Sequence, residues 1–130
     1  MYLFLLATLA SCQSCSSDYK DVDDIVVEGV ETPVLLGDPF IMLHDGTYYA
    51  YGTHADEGIE VYTSDDLKTW KYKCMALQKK YVWADRWFWA PEVYEVNKKF
   101  YMYYSADEHI CVTTADSPAG PFTQSKNEPI

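Results

Sequence analysis

A carboxylate stands where an apolar strand begins. Asp38 lies between Gly37 and Pro39, and Phe40, Ile41, Met42 and Leu43 follow it. An acid in that place either closes a turn or does chemistry. If it does chemistry, its natural role is to take a proton from water, as a general base does. Pro39 fixes its own φ and biases Gly37-Asp38 toward extended backbone, which would give the carboxylate a stiff mount. The competing reading is an Asp-Pro turn cap. A second acid, Glu92, closes the run "VWADRWFWAPE", which packs Trp83, Trp87, Phe88 and Trp89 into one short stretch. A flat indole offers a face to a sugar ring, and it fills a core equally well. Trp83 and Phe88 fit the core, whereas Trp89 fits either role. Arg86 can bond a sugar hydroxyl or pair with its neighbour Asp85.

The elements that would hold these groups are strands. "PFIMLHDGTYYAYGT" is an apolar run, an Asp45-Gly46 turn and a second apolar run, which predicts a β-hairpin. Ile59 to Thr63 reads as a third strand, followed by a polar turn to Trp70. The pattern then recurs. Pro39 and Pro91 are 52 positions apart, and the same offset relates Tyr48-Tyr49 to Phe100-Tyr101, Tyr51 to Tyr103 and Trp70 to Phe122. Asp45-Gly46 corresponds to Asn97-Lys98, where Asn suits the left-handed turn conformation. From Ile59 to Ile110 the offset is 51, so the loop between differs by one residue. A repeat of this length built from several strands signals a propeller or a similar array. In the repeat Asp38 aligns with Ala90 and Glu92 with Phe40. A two-residue step keeps a side chain on one face but moves it about 7 Å along the strand. Two copies cannot close a ring, and "TQSKNEPI" offers no closing strand, so the 130 residues read as the beginning of a longer protein.

Composition narrows the function classes. The formal charge is −10, which argues against a nucleic-acid partner, where a basic footprint is expected. Aromatic residues make up 16% of the chain and Tyr occurs 12 times, which suits pleated strands and, secondarily, sugar stacking. No apolar run is long enough to span a membrane as a helix.

Taken in order, "GDPFIMLHDGTYYAYGT", "IEVYTSDDLKTW", "FWAPEVYEVNKKFYMYYSA" and "TTADSPAGPF" resemble the start of glycoside hydrolase family 43. The resemblance implies an all-β, five-bladed β-propeller of which this chain holds about the first two blades. It implies inverting hydrolysis of arabinosyl or xylosyl links in plant cell-wall polysaccharides, of β-xylosidase, α-L-arabinofuranosidase or endo-arabinanase type. Inverting enzymes pair a carboxylate that activates water with a carboxylic acid that protonates the leaving oxygen. By resemblance Asp38 matches the general base and Trp89 the pocket tryptophan. Glu92 matches a position that is acidic but not the acid catalyst, so it reads as a wall or structural carboxylate that contacts substrate at most. The acid Glu and the Asp that tunes it belong to later blades and have no counterpart here, so these residues alone are expected to be inactive.

The N-terminus reads as a targeting segment. Residues 1–12 are apolar and end in Leu9-Ala10-Ser11-Cys12, a lipobox-like sequence in which Cys12 would be lipidated. No Lys or Arg precedes the apolar run, a departure from the usual signal. Residues 13–33 read as an acidic linker and 34–130 as the two blades. The partners implied are an oligo- or polysaccharide and, through the lipid anchor only, a bacterial membrane on its exported side. No cofactor is implied, and a metal ion on the axis of a full propeller would draw its ligands from later blades. His44, next to a turn, is expected to be exposed. His54 and His109 fit solvated loops, since "HADE" and "ADEH" match no familiar ligand spacing. Cys15 falls in the linker, and Cys74 and Cys111 suit buried thiols better than a disulfide.

Two other functions fit some of these residues. A non-catalytic carbohydrate-binding propeller would keep the aromatic residues and lose the acid. Retaining fructan hydrolases also place an Asp at a strand start, but with Asn before Asp-Pro, where this chain has Gly37.

Overall fold

The second half of the molecule repeats the first almost strand for strand. The computed structural model describes residues 34–130; the signal, the linker, Cys12 and Cys15 lie outside the described residues. β1 (Gly37–His44), β2 (Thr47–Thr53), β3 (Gly58–Ser64) and β4 (Lys71–Gln78) form one antiparallel sheet in that order. A single 3-10 turn, Lys79–Tyr81, follows. β5 (Trp89–Val96), β6 (Lys99–Ala106) and β7 (His109–Ala115) form the second sheet.

Local chemistry accounts for the hairpins. Asp45 and Gly46 have φ of 47° and 80°, and their counterparts Asn97 and Lys98 have 53° and 63°. Two successive residues with positive φ make the turn whose twist matches its flanking strands. β4 had no clear signal in the sequence. Its pairing with β3 carries two register shifts, and Cys74 to Leu77 are buried in succession. Both features erase the alternation by which a half-buried strand is read.

The two sheets pack face to face in the same sense. Tyr51, Ile59 and Val61 are fully buried on the side of the first sheet turned to the second. Their repeat partners Tyr103 and Ile110 are 41% and 55% exposed. The second sheet instead buries the opposite set, Val93, Phe100, Met102 and Tyr104. One face of each sheet therefore meets the other face of its neighbour. This head-to-tail stacking is how propeller blades follow one another. The inner strands β1 and β5 lie side by side, joined by the edge-on ring contact of Phe40 with Tyr94 at 5.6 Å.

The tail ties the two sheets together. Phe122 donates its N–H to the Ala76 carbonyl at 2.8 Å, while Thr123 exchanges backbone bonds with Thr114 at 2.9 and 3.0 Å. Phe122 thus bridges β4, and Thr123 occupies the place beside β7 that β4 holds beside β3. These are two isolated bridges, and no strand follows β7 among the described residues. The Tyr51 hydroxyl fastens the same region by donating to the Pro118 carbonyl at 2.6 Å. Burial pushes that phenol well above its ordinary titration range. Cys74 and Cys111 are buried and form no disulfide; the Cys74 thiol donates to the Ala119 carbonyl at 3.3 Å, and burial raises the Cys111 thiol.

Candidate active site

The first residues of β1 and β5 share one irregularity. Between the pairs Gly37–Thr53 and Phe40–Tyr51, β1 advances one residue more than β2. Between Trp89–Ser105 and Glu92–Tyr103, β5 does the same against β6. Each extra residue is a β-bulge, a device that bends a strand and re-aims a side chain. Asp38 and Ala90 sit in these bulges with φ of 44° and 46°. The expected extended backbone at Asp38 is thus not found. Sterics before a proline disfavour the departure, but the bulge imposes it in both copies. The mount is a pinned kink rather than a straight strand.

Asp38 is exposed at the head of β1. Thr53, at the end of β2, donates its hydroxyl to Asp38 Oδ2 at 3.4 Å. The same Thr53 oxygen accepts the backbone N–H of Ala90 at 2.9 Å. One hydroxyl therefore links the carboxylate of the first blade to the bulge of the second. Among the described residues Asp38 has no other side-chain partner, so its remaining lone pairs face solvent. That arrangement suits a group that must accept a proton from water.

Pro91 and Val93 are buried, whereas Glu92 and Tyr94 are exposed and share the other face of β5. There the Tyr94 hydroxyl donates to Glu92 Oε2 at 2.6 Å. That bond, with the negative charge of Glu92, raises the Tyr94 phenol above its ordinary value.

The aromatic run divides by burial. Phe88 is 2% exposed and stacks on Tyr104, and Trp83 packs half-buried against the core beside His109. Trp87 and Trp89 are 42% and 41% exposed and stack on each other, their centroids 5.8 Å apart at an interplanar angle of 15°. Trp89 immediately precedes Ala90, whose N–H binds Thr53, so the stacked pair is joined through the chain to the Asp38 network. Arg86 pairs with Asp107 rather than with its neighbour Asp85. Its Nε and Nη2 both reach Asp107 Oδ1 at 2.6 Å, a partner on the β6–β7 turn that nothing local in the sequence announces.

His44 also differs from expectation. It is half-buried, with Nδ1 3.1 Å from Glu95 Oε2, Nε2 3.4 Å from Asp45 Oδ2, and its ring edge-on to Phe100 at 5.0 Å. The approach of β5 covers it. His54 and His109 are exposed. Among the described residues no three His, Cys, Asp or Glu side chains are grouped to hold a metal ion.

Comparison with known proteins bears on this geometry. The crystal structure of an endo-1,4-β-xylanase from Bacteroides thetaiotaomicron superposes with a TM-score of 0.69 at 49% identity, over 73% of this chain and 34% of that one. An endo-arabinase from the same organism gives 0.67 at 32% identity, over 75% and 37%. The extracellular exo-α-(1→5)-L-arabinofuranosidase of Cellvibrio japonicus is 29% identical over 111 residues, 80% of this chain and 27% of the relative. The chain thus spans about a third of the length of the proteins it matches. The model of the glycosyl hydrolases family 43 matches residues 30–129. With the two consecutive propeller blades and the four motifs in order, this match shows that the chain belongs to glycosyl hydrolases family 43.

Proposed function

We propose that the full-length gene product is an inverting glycoside hydrolase acting on arabinosyl or xylosyl links of plant cell-wall polysaccharide, with Asp38 as its general base. The observation that carries the reading is the placement of Asp38. It is an exposed carboxylate on an inner strand, re-aimed by a bulge and held by Thr53 to the next blade. In the reaction the carboxylate takes a proton from a water molecule as that water attacks the anomeric carbon. The acid that protonates the leaving oxygen comes from sequence beyond these two blades. Trp89 offers its exposed indole to a sugar ring, and Glu92, engaged by Tyr94, serves as a structural carboxylate. The xylanase, endo-arabinase and arabinofuranosidase named above support this substrate class.

The test is Asp38→Asn in the full-length gene product, assayed on aryl arabinofuranosides, aryl xylosides and the corresponding oligosaccharides. An amide cannot take the proton, so turnover should fall by about 10²- to 10⁴-fold. Near-normal turnover would remove Asp38 from the mechanism, and retention in the first product, read by NMR, would exclude inversion. The N-terminal segment adds export with a lipid on Cys12. Labelling with a radioactive fatty acid, lost in Cys12→Ala, checks it.

A further inference from the structure

Two exposed indoles, one on the segment that leads into β5 and one at its first residue, stack on each other and are held. The segment between the blades leaves Trp87 with a φ of 58°. A bulky residue adopts that conformation only where its surroundings over-determine it. On the exposed side those surroundings include Asp107, on the β6–β7 turn. Its N–H donates to the Arg86 carbonyl at 3.2 Å, and its carboxylate accepts from both Nε and Nη2 of the same arginine at 2.6 Å. Arg86 is thereby clamped at backbone and side chain together. The clamped guanidinium lies 4.2 Å from the centroid of the Trp87 ring, and Trp87 in turn stacks on Trp89. Three planar groups follow in series, from a fixed turn to the indole beside Ala90 and the Asp38 network.

We propose that Asp107, Arg86 and Trp87 are positioning residues that set the plane of the Trp89 indole, so that saccharide affinity depends on side chains that do not touch the reacting bond. The proposal rests on the glycosidase reading above. A ring that stacks on a sugar must present a fixed face, and pre-organisation removes the ordering cost from the binding step. Phe88, which lies between the two tryptophans in sequence, is buried against Tyr104 and anchors the segment to the core. Holding the segment in place therefore does not itself require the stack on its exposed side.

The test compares Arg86→Ala, Asp107→Asn, Trp87→Ala, Trp87→Phe, Trp89→Ala and Asp38→Asn in the full-length gene product. Steady-state kinetics are measured on arabino- and xylo-oligosaccharides, with far-ultraviolet circular dichroism reporting the exciton couplet of the stacked indoles. Arg86→Ala and Trp87→Ala should raise KM by roughly two- to fivefold, the size of an exposed cation–π contact, with kcat nearly unchanged. The couplet should vanish in Trp87→Ala and Trp89→Ala and weaken in Asp107→Asn. Trp87→Phe, which keeps a ring in the series, should recover most of the lost affinity. An unchanged KM in Arg86→Ala and Trp87→Ala, with Asp38→Asn inactive, overturns this proposal and leaves the glycosidase reading standing. So does a lowered melting temperature with an unchanged KM, which would mark a purely structural role. Full activity in Asp38→Asn removes the reading itself.

Discussion

Three tyrosines offer a sharp test of how the blades are joined, because removing the same atom should give different results. Tyr51 is fully buried, and its hydroxyl donates to the Pro118 carbonyl at 2.6 Å across 67 positions of sequence. Tyr51→Phe deletes that bond and leaves the carbonyl of Pro118, a buried residue, without its partner. A net hydrogen bond contributes about 0.5–1.5 kcal/mol, and an unsatisfied buried acceptor costs about 1–3 kcal/mol. The expected loss is therefore about 1–3 kcal/mol. Tyr104 is nearly as buried, but among the described residues its hydroxyl has only the Cys111 thiol beside it, a weak partner, and desolvation pushes its titration far upward. Tyr104→Phe removes a group already deprived of water, so stability should be unchanged or slightly higher. Tyr103, the repeat partner of Tyr51, is 41% exposed, and its hydroxyl deletion should stay within about 0.5 kcal/mol. Urea unfolding followed by fluorescence reads all three from shifts in midpoint at constant slope. The reasoning fails if Tyr51→Phe unfolds with the wild type, or if Tyr104→Phe costs more than Tyr51→Phe.

Other outcomes follow from single contacts. Gly58→Ala drives a Cβ into the Leu77 carbonyl oxygen at a φ of 147°, so it should cost at least about 2–4 kcal/mol and lower the melting temperature accordingly. Asp66 accepts backbone N–H bonds from Lys68 and Thr69, each at 2.8 Å, which with the Ser64 hydroxyl hold its carboxyl down to about 2 from 3.8. Because the folded value is depressed, its contribution is complete above 3.8 and disappears as pH falls through about 2; a carboxyl NMR titration with a midpoint near the ordinary value would contradict this. Glu92→Gln should bring the Tyr94 phenol back down toward 10.0, visible in an NMR titration of labelled tyrosine, and no change would mean the bond to Glu92 does not set that titration. Thr53→Val leaves the Ala90 N–H without its acceptor and the Asp38 carboxylate without its tether, and should cost about 1 kcal/mol in the same urea assay, with an unshifted midpoint counting against the link.

Much of the architecture was legible because its signals are local. Turn residues at Asp45-Gly46 and Asn97-Lys98 and the recurrence of Pro39 at Pro91 mark two copies of one hairpin, and the structure repeats even their positive φ angles and bulges. The motifs in order are sufficient to suggest the family. β4 escaped notice because its register shifts destroy the strand period. Asp38 was visible as an unusual acid, but its left-handed backbone ran against the preference that Pro39 imposes.

The sequence by itself determined the strand class, the repeat and the residues from which a site can be built, since alternation, turn chemistry and motif order are properties of neighbouring positions. Only the tertiary structure decided which face of each strand is covered. A period of two defines two faces and leaves open which one meets a neighbour, so Tyr51 is buried while Tyr103 is exposed. It also decided every partner drawn from far along the chain: Asp107 for Arg86, Glu95 for His44, Pro118 for Tyr51 and Ala90 for Thr53. Those contacts exist because the sheets, the segment between them and the tail pack together in the folded chain, and no short stretch of sequence contains both members of any pair.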